Sequence, residues 1–203
     1  MVLDKANFII RGKREETVYK NPGTLNGYDF VIEDCVDCEI YVLDHTSQVQ
    51  IDDCINCKIF IGPSAGSTFF RDCKDCTIEV ACQQLRTRDV HKCTFGLYCK
   101  TKPIVETSTN VVFRCWMGAY PGLSEHFKAT EMNPLENTWN EIYDFNQGED
   151  LGDMHWSIMD IADYPADFWQ VVPPKGEDGV EFGPPDNPVV LPDGRSFTSE
   201  GAP

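Results

Sequence analysis

The chain has 203 residues with 33 acidic and 17 basic side chains, and its formal net charge is −16. A length of this order supports one substantial hydrophobic core, and so large a negative charge excludes binding to a nucleic-acid backbone and simple electrostatic attachment to anionic lipid. Ten cysteines, no apolar run long enough for a transmembrane helix, and a charged start without a secretory signal predict a cytoplasmic protein with reduced thiols.

Residues 1–27 have the mixed composition of a segment that covers the open end of a sheet. Asn7 to Ile10 fits a short strand, and Asn21-Pro22-Gly23 is a turn signal. A stack of repeats needs an atypical first unit to protect its exposed edge, which is the role we expect for this segment. The second residue is not glycine, so no N-terminal acyl anchor is expected.

Residues 28–80 contain three near-copies of one short unit that recur at a constant spacing. The copies are Asp34-Cys35-Val36-Asp37-Cys38, Asp53-Cys54-Ile55-Asn56-Cys57 and Asp72-Cys73-Lys74-Asp75-Cys76. Apolar and polar residues alternate around each copy, which is the pattern of a β-strand with one buried face. A fixed period of about 20 residues is typical of stacked supersecondary units. The sequence therefore predicts an all-β protein built as a right-handed parallel β-helix.

A zinc site is the alternative interpretation of these cysteines. Cys35, Cys38, Cys54 and Cys57 have the spacing C-x2-C-x15-C-x2-C, which fits a four-thiolate site. Three features favour stacked, buried thiols instead: the pairs number three, each lies within an alternating apolar run, and the next unit keeps only Cys93. We therefore expect no metal ligands among them.

Residues 81–116 continue the alternation but add a dense group of polar side chains. Phe95, Leu97 and Phe113 resume the strand pattern. Polar residues of this density within a repeat array indicate a functional surface. They are Gln83, Gln84, Arg86, Arg88, Asp89 and Glu106.

Residues 117–158 lose the strand pattern, and residues 159–203 form an acidic, proline-rich tail. Tyr120 to Phe127 predicts the start of a short helix, with Leu123, Phe127 and Met132 on one side. We expect this C-terminal helical segment to close the stack as part of a domain that spans residues 1–158. The tail is expected to be extended, either disordered or packed on the domain, without regular structure after about residue 170.

The chain resembles the tubulin-binding cofactor C domain family, and within it the retinitis pigmentosa 2 branch, over roughly residues 6–158. The resemblance rests on the Asp-Cys-x-x-Cys units, Phe60-Ile61-Gly62-Pro63, Ala81-Cys82-Gln83-Gln84-Leu85-Arg86, Lys102-Pro103-Ile104-Val105-Glu106, and Asn137-Thr138-Trp139 through Asp144-Phe145. It implies a three-sided β-helix that activates GTP hydrolysis on an Arf-like small GTPase. Such a protein has no cofactor of its own, since the partner carries GTP and Mg²⁺.

The resemblance also implies roles for individual residues. Arg86 falls on the arginine finger of the family, and Gln83 and Gln84 fall on positions that orient the catalytic region. Glu106, Phe145 and Arg88 fall on the surface that contacts the GTPase. The implied setting is ciliary or lipidated-cargo trafficking in the cytoplasm, at the cilium or basal body. The alternative is a binding or scaffold module of the tubulin-folding cofactor type that has tubulin as its partner and no activating role.

Ordinary structural roles for the same residues stay open at this point. Arg86 can pair with Asp89 or Glu106, and Arg88 is expected to pair with Asp89. Glu106 can form an internal salt bridge that positions Arg86. The remaining structural alternatives are amide stacking for Gln83 and Gln84, and core packing for Trp139 and Phe145. The four histidines, which show no ligand spacing, are given no role; they are His45, His91, His126 and His155.

Overall fold

The computed structural model of the chain describes residues 5–176, 179 and 181–199. Short 3-10 turns lie at Lys5–Phe8 and Ile161–Asp163, and the α-helix α1 spans Leu123–Ala129. The strands, in chain order, are β1 (Ile9–Arg11), β2 (Thr17–Lys20), β3 (Phe30–Val36), β4 (Glu39–Val42), β5 (Val49–Ile55), β6 (Lys58–Arg71), β7 (Thr77–Arg88), β8 (Thr94–Cys99), β9 (Ile104–Glu106), β10 (Val111–Cys115), β11 (Gly118–Ala119), β12 (Tyr143–Asp144), β13 (Trp156–Ile158) and β14 (Trp169–Gln170).

The strands stack in parallel as coils of a three-sided β-helix. Face 1 consists of β1, β3, β5, the second halves of β6 and β7, β9 and β12. Face 3 consists of β2, β4, the first halves of β6 and β7, β8, β10 and β13. Face 2 is a narrow side on which each coil contributes a single bridging residue to its neighbours. In chain order these residues are Arg14, Val36, Ile55, Lys74, His91 and Thr109. The parallel β-helix that the repeats predict is confirmed.

The repeated Asp-Cys-x-x-Cys unit is explained by two left-handed corners that flank face 2 in each coil. In the second coil these corners are Asp34 and Asp37, with φ of 53° and 55°. In the third they are Asp53 and Asn56, both with φ of 52°. Asp and Asn tolerate the left-handed region better than other non-glycine residues. The acidic and amide residues of the repeat are therefore corner residues.

The cysteines of the repeat lie just inside these corners, where little space is available. All ten cysteines of the chain are free and buried. Their thiols donate to backbone carbonyls, as from Cys57 Sγ to Ile55 O over 3.3 Å and from Cys73 Sγ to Arg71 O over 3.2 Å. Among the described residues, no group of three close metal-ligating atoms includes a sulfur. The structure thus favours buried thiols over the zinc interpretation.

This burial predicts that the native protein is inert to thiol reagents. A reagent must reach the sulfur, and all ten cysteines are buried; at Cys115 burial also raises the pKa of the thiol to about 12. In the folded chain at pH 8 we expect a colorimetric thiol assay to find fewer than about one reactive group over several minutes, while the same assay after unfolding finds all ten. Rapid reaction of several thiols without denaturant would contradict the packing described here.

Face 3 is covered by the C-terminal part of the chain, which runs back along its outer surface. β11 pairs with β14, so the tail adds a strand there. The ring of Trp169 packs edge-on against Tyr41 and Phe60, with centroids 6.2 and 5.5 Å away. The Asp186 carboxylate accepts hydrogen bonds from three backbone N–H groups at the start of α1, those of Gly122, Leu123 and Ser124. With seven residues, α1 is too short to cross a bilayer, and none of the other described helices is long or apolar enough.

A buried ion pair lies beneath this covering segment. Arg114 Nη2 contacts Glu79 Oε2 at 2.6 Å, and the two side chains are 6% and 0% exposed. Glu79 also accepts a hydrogen bond from the backbone N–H of Met117 in the covering segment. Gly96 lies between the two partners in the sheet register, and a β-carbon there would collide with both side chains. The glycine therefore provides the gap through which the pair forms.

A candidate interface around Arg86

Arg86 projects from the middle of face 1 because of the strand period. Leu85 and Thr87 point inward and are buried, so Arg86 between them points outward and is exposed. Its backbone is paired on both sides, with Phe69 of the preceding coil and Ile104 of the following one. A residue fixed between two neighbouring strands has little freedom of its own, so the base of this side chain is held rigidly.

The corner just before Arg86 is the shorter of two successive corners. Lys58 pairs with Thr77 and Thr77 pairs with Thr94, so the second of these coils is two positions shorter than the first. The two missing positions lie in the corner between faces 3 and 1. This corner spans residues 62–67 in the first coil and 81–84 in the second. The shortened corner changes which residues pair with those of the preceding coil, so that Phe69 pairs with Arg86.

Arg86 keeps its positive charge free, unlike the other arginines. Its guanidinium lies over the Phe69 ring at 5.7 Å from the centroid. Within the described ranges it forms no ion pair, whereas each of the other six arginines does. These pairs are Arg11 with Glu33, Arg14 with Asp34, Arg71 with Asp52, Arg88 with Glu106, Arg114 with Glu79 and Arg195 with Asp193.

The partner predicted for Arg88 is wrong. Arg88 Nη2 contacts Glu106 Oε1 at 3.1 Å, because the two residues pair directly in the sheet register. Asp89 is a left-handed corner residue with φ of 53° and lies just beyond the end of β7. Glu106 consequently binds Arg88 rather than Arg86, and the salt bridge of Arg86 with Asp89 or Glu106 that the sequence left open is not formed.

Gln83 and Gln84 occupy the short corner. Gln83 is exposed, and its carbonyl accepts hydrogen bonds from the backbone N–H and the hydroxyl of Thr101, at 3.0 and 3.1 Å. Gln84 is half-buried and is paired in register with Ser67. The preceding coil therefore offers no amide to Gln84, and the amide column considered from the sequence does not form there. Both glutamines lie close to Arg86 along the chain.

Two exposed aromatic rings extend the surface at the last coil. Tyr143 pairs with Ile104 in the strand beyond Arg86, and both Tyr143 and Phe145 are 53% exposed. Their rings meet edge-to-face at 5.2 Å. Phe145 is therefore a surface residue, whereas Trp139 is 7% exposed and belongs to the core. Exposed aromatics next to an arginine form the composition that is typical of protein–protein interfaces.

Phe69 and Tyr143 are parts of this surface that the sequence did not reveal. Continuing the constant spacing of the three repeats places Ser67 below Arg86, whereas the structure places Phe69 there. The sequence does show that this coil is two positions shorter, because the spacing of the cysteines changes there. Only that change could have indicated that Phe69 lies next to Arg86.

A cluster away from this surface consists of Asp44, His45 and His126, which lie together although the histidines were assigned no role from the sequence.

The sequence is similar to those of several known proteins. The family model of tubulin binding cofactor C matches residues 27–145. The chain is 50% identical to Protein XRP2 of Danio rerio over 157 residues, which cover 77% of this chain and 41% of that protein. It is 29% identical to Tubulin-specific chaperone C of Bos taurus over 83 residues, 40% of this chain and 24% of that protein. The chain thus spans less than half the length of the curated relatives it matches.

The fold is shared with a solved structure. Tubulin Binding Cofactor C from Leishmania major superposes with a TM-score of 0.54 at 22% sequence identity, covering 64% of this chain and 88% of that one. At this identity the likeness concerns the fold alone. The family model, in contrast, matches by sequence the stretch 27–145, which is more than half of the chain. The chain therefore belongs to the tubulin binding cofactor C family.

Proposed function

We propose that this protein activates GTP hydrolysis on an Arf-like small GTPase by supplying Arg86 in trans. The observation that carries the proposal is the free charge of Arg86 on a face whose other arginines are all paired. An arginine neutralised by a neighbouring carboxylate would have to break that pair before it could stabilise a partner's charge. Arg86 needs only to move off the ring of Phe69.

The chemistry explains why one fixed guanidinium suffices. GTP hydrolysis places developing negative charge on the oxygens around the β–γ bond. A planar guanidinium donates two hydrogen bonds at once and stays protonated at all physiological pH values. Its effect is largest when the group is held in place before the reaction, because no reorganisation is then required. A backbone paired on both sides fixes the base of the Arg86 side chain, so that only the guanidinium has to move off the Phe69 ring.

The surrounding residues support docking of the partner. In this proposal Gln83 and Gln84 contact the catalytic region of the GTPase from the short corner. Glu106 and Arg88, joined to each other, and Phe145 contact its surface. The first experiment is a pull-down with Arf-like GTPases held in their GTP state, followed by measurement of GTP turnover with and without the protein. Failure to accelerate turnover by any GTPase that binds would reject the proposal.

Removing the exposed aromatic ring of Phe145 is expected to weaken association. Phe145→Ala deletes an exposed ring at the edge of face 1, and we expect the dissociation constant to rise about tenfold or more. Tyr28→Ala is the matched control, since Tyr28 is also about half exposed and edge-to-face with another ring, at 5.2 Å from Phe8. Equal weakening by the two variants, measured by calorimetry, would exclude Phe145 from the interface.

A second candidate function is a tubulin-binding module without activating ability. It is favoured by the tubulin named in the family description and in relatives such as Tubulin-specific chaperone C. The two functions differ in their dependence on Arg86. If Arg86→Ala changes nothing while Phe145→Ala abolishes association with tubulin, the module interpretation is correct.

A further inference from the structure

Three metal-ligating side chains converge at a corner between faces 3 and 1. Asp44 and His45 follow β4, and His126 comes from α1, much further along the chain. His45 Nδ1 lies 3.2 Å and His126 Nε2 3.3 Å from the same oxygen, Asp44 Oδ1. All three ligand atoms lie within 4.8 Å of one another. Neither the repeats nor the surface around Arg86 requires this arrangement.

The spacing fits coordination of a small cation. Hydrogen bonds from a ring N–H to a carboxylate oxygen measure about 2.7–3.2 Å, so the two contacts lie at or just beyond the upper end of that range. Ligands about 2.0–2.1 Å from a tetrahedral Zn²⁺ are separated by about 3.3 Å, the edge of the tetrahedron. The observed separations of 3.2 and 3.3 Å match such an edge.

Two of the three ligands, His126 and Asp44, are held by outer partners that leave the ligating atom available. His126 Nδ1 lies 2.7 Å from the hydroxyl of the buried Tyr120, so its Nε2 can face a metal. Asp44 Oδ2 accepts hydrogen bonds from the backbone N–H groups of Leu25 and Asn26, at 2.6 and 2.9 Å. Asp44 Oδ1 accepts one more from the backbone of His45 at 2.9 Å, which leaves its second lone pair free. Such outer contacts are typical of metal-binding histidines and carboxylates.

The cluster is sheltered but accessible. The carboxylate of Asp44 is fully buried, while the side chains of His45 and His126 are 25% and 13% exposed. The centroids of the two rings lie 5.3 Å apart, and because both rings are partly exposed, an ion bound there could keep a water molecule as its fourth ligand.

We propose that Asp44, His45 and His126 form a binding site for a divalent cation of the zinc class. The donor set of two imidazoles and one carboxylate suits Zn²⁺ and its neighbours in the first transition row. A bound ion joins α1 to the corner after β4, and so fixes the covering segment of face 3 to the stack.

The test uses the full chain after treatment with a chelator and its removal. Titration with Co²⁺ is expected to show one ion per chain with ligand-field absorption and without the intense thiolate charge-transfer band that a cysteine site gives. Titration with Zn²⁺ by calorimetry gives the affinity. We expect His45→Ala and His126→Gln each to weaken binding at least about tenfold, and Tyr120→Phe about 10- to 100-fold.

The matched control is His91→Gln. His91 is also half-buried, but its ring contacts the Thr109 hydroxyl at 2.8 Å on face 2, away from the cluster. The His91→Gln variant should bind Zn²⁺ with the same affinity as the unchanged protein. Circular dichroism verifies the fold of each variant, and Tyr120→Phe provides a test that removes no ligand. Absence of binding by the folded wild-type chain, a thiolate band, or unchanged affinity in the His45 and His126 variants would overturn the proposal.

Discussion

Replacing Arg86 by alanine is expected to lower the accelerated rate of GTP hydrolysis by about 10³–10⁵ while the GTPase still binds within a few-fold of the original affinity. The reason is that the guanidinium stabilises charge present mainly in the transition state, so its loss affects the chemical step more than association. Single-turnover hydrolysis at saturating protein measures this step directly. The fall corresponds to about 4–7 kcal/mol of transition-state stabilisation.

Two further arginine variants sharpen this test. Arg86→Lys keeps a positive charge but loses the planar fork, so we expect it to recover only a small part of the rate. Arg88→Ala removes a neighbouring arginine of the same face that is already paired with Glu106, and it should leave the saturated rate within a few-fold. Acceleration by Arg86→Ala equal to that of the unchanged protein would reject the role of Arg86, whatever the binding result.

Breaking the buried pair between Arg114 and Glu79 is expected to destabilise the fold more than any surface substitution. Arg114→Ala leaves the Glu79 carboxylate buried without its partner, and loss of one member of a buried pair costs about 3–5 kcal/mol. Urea unfolding, followed by tryptophan fluorescence and circular dichroism, measures the change in the free energy of unfolding. The effect should appear as a lower midpoint with little change in slope.

The matched control is an exposed pair of the same chemistry. Arg71 forms two hydrogen bonds with Asp52 on face 1, at 2.7 and 2.8 Å, and Arg71→Ala should cost no more than about 1 kcal/mol. Replacing both buried partners, Glu79→Met with Arg114→Met, should destabilise the fold less than Arg114→Ala alone, because no charge is left unpaired. Equal losses for Arg114→Ala and Arg71→Ala would contradict the burial of the pair.

The sequence predicts the architecture because each part of the repeat has a direct physical meaning. The constant spacing of the repeat corresponds to one coil, the alternating apolar residues to the buried side of each strand, and residues such as Asp53 and Asn56 to left-handed corners. The short helix after Tyr120 follows from the same kind of pattern. Local periodicity and corner chemistry thus suffice to predict the fold, whereas the family is inferred from the resemblance of specific motifs.

Contacts between distant segments could not be predicted in this way. Glu79 and Arg114 meet across Gly96, which depends on three coils stacking in one register. Arg88 pairs with Glu106 rather than with its neighbour Asp89, because strand register decides the partner and proximity in sequence does not. The position of Phe69 below Arg86 likewise depends on the shortened coil. The roles of Arg86, Gln83, Gln84, Glu106 and Phe145 stay predictions.

The segment that covers face 3 has a consequence for how the molecule unfolds. A bare solenoid is quasi-one-dimensional, and its terminal repeats fray independently because each unit touches only its neighbours. Here Trp169 contacts Tyr41 and Phe60 in two early coils, while Tyr164 accepts a hydrogen bond from Cys115 in a late one. A segment that contacts both early and late coils couples them, so we expect the coils to unfold as a single cooperative unit rather than to fray from one end.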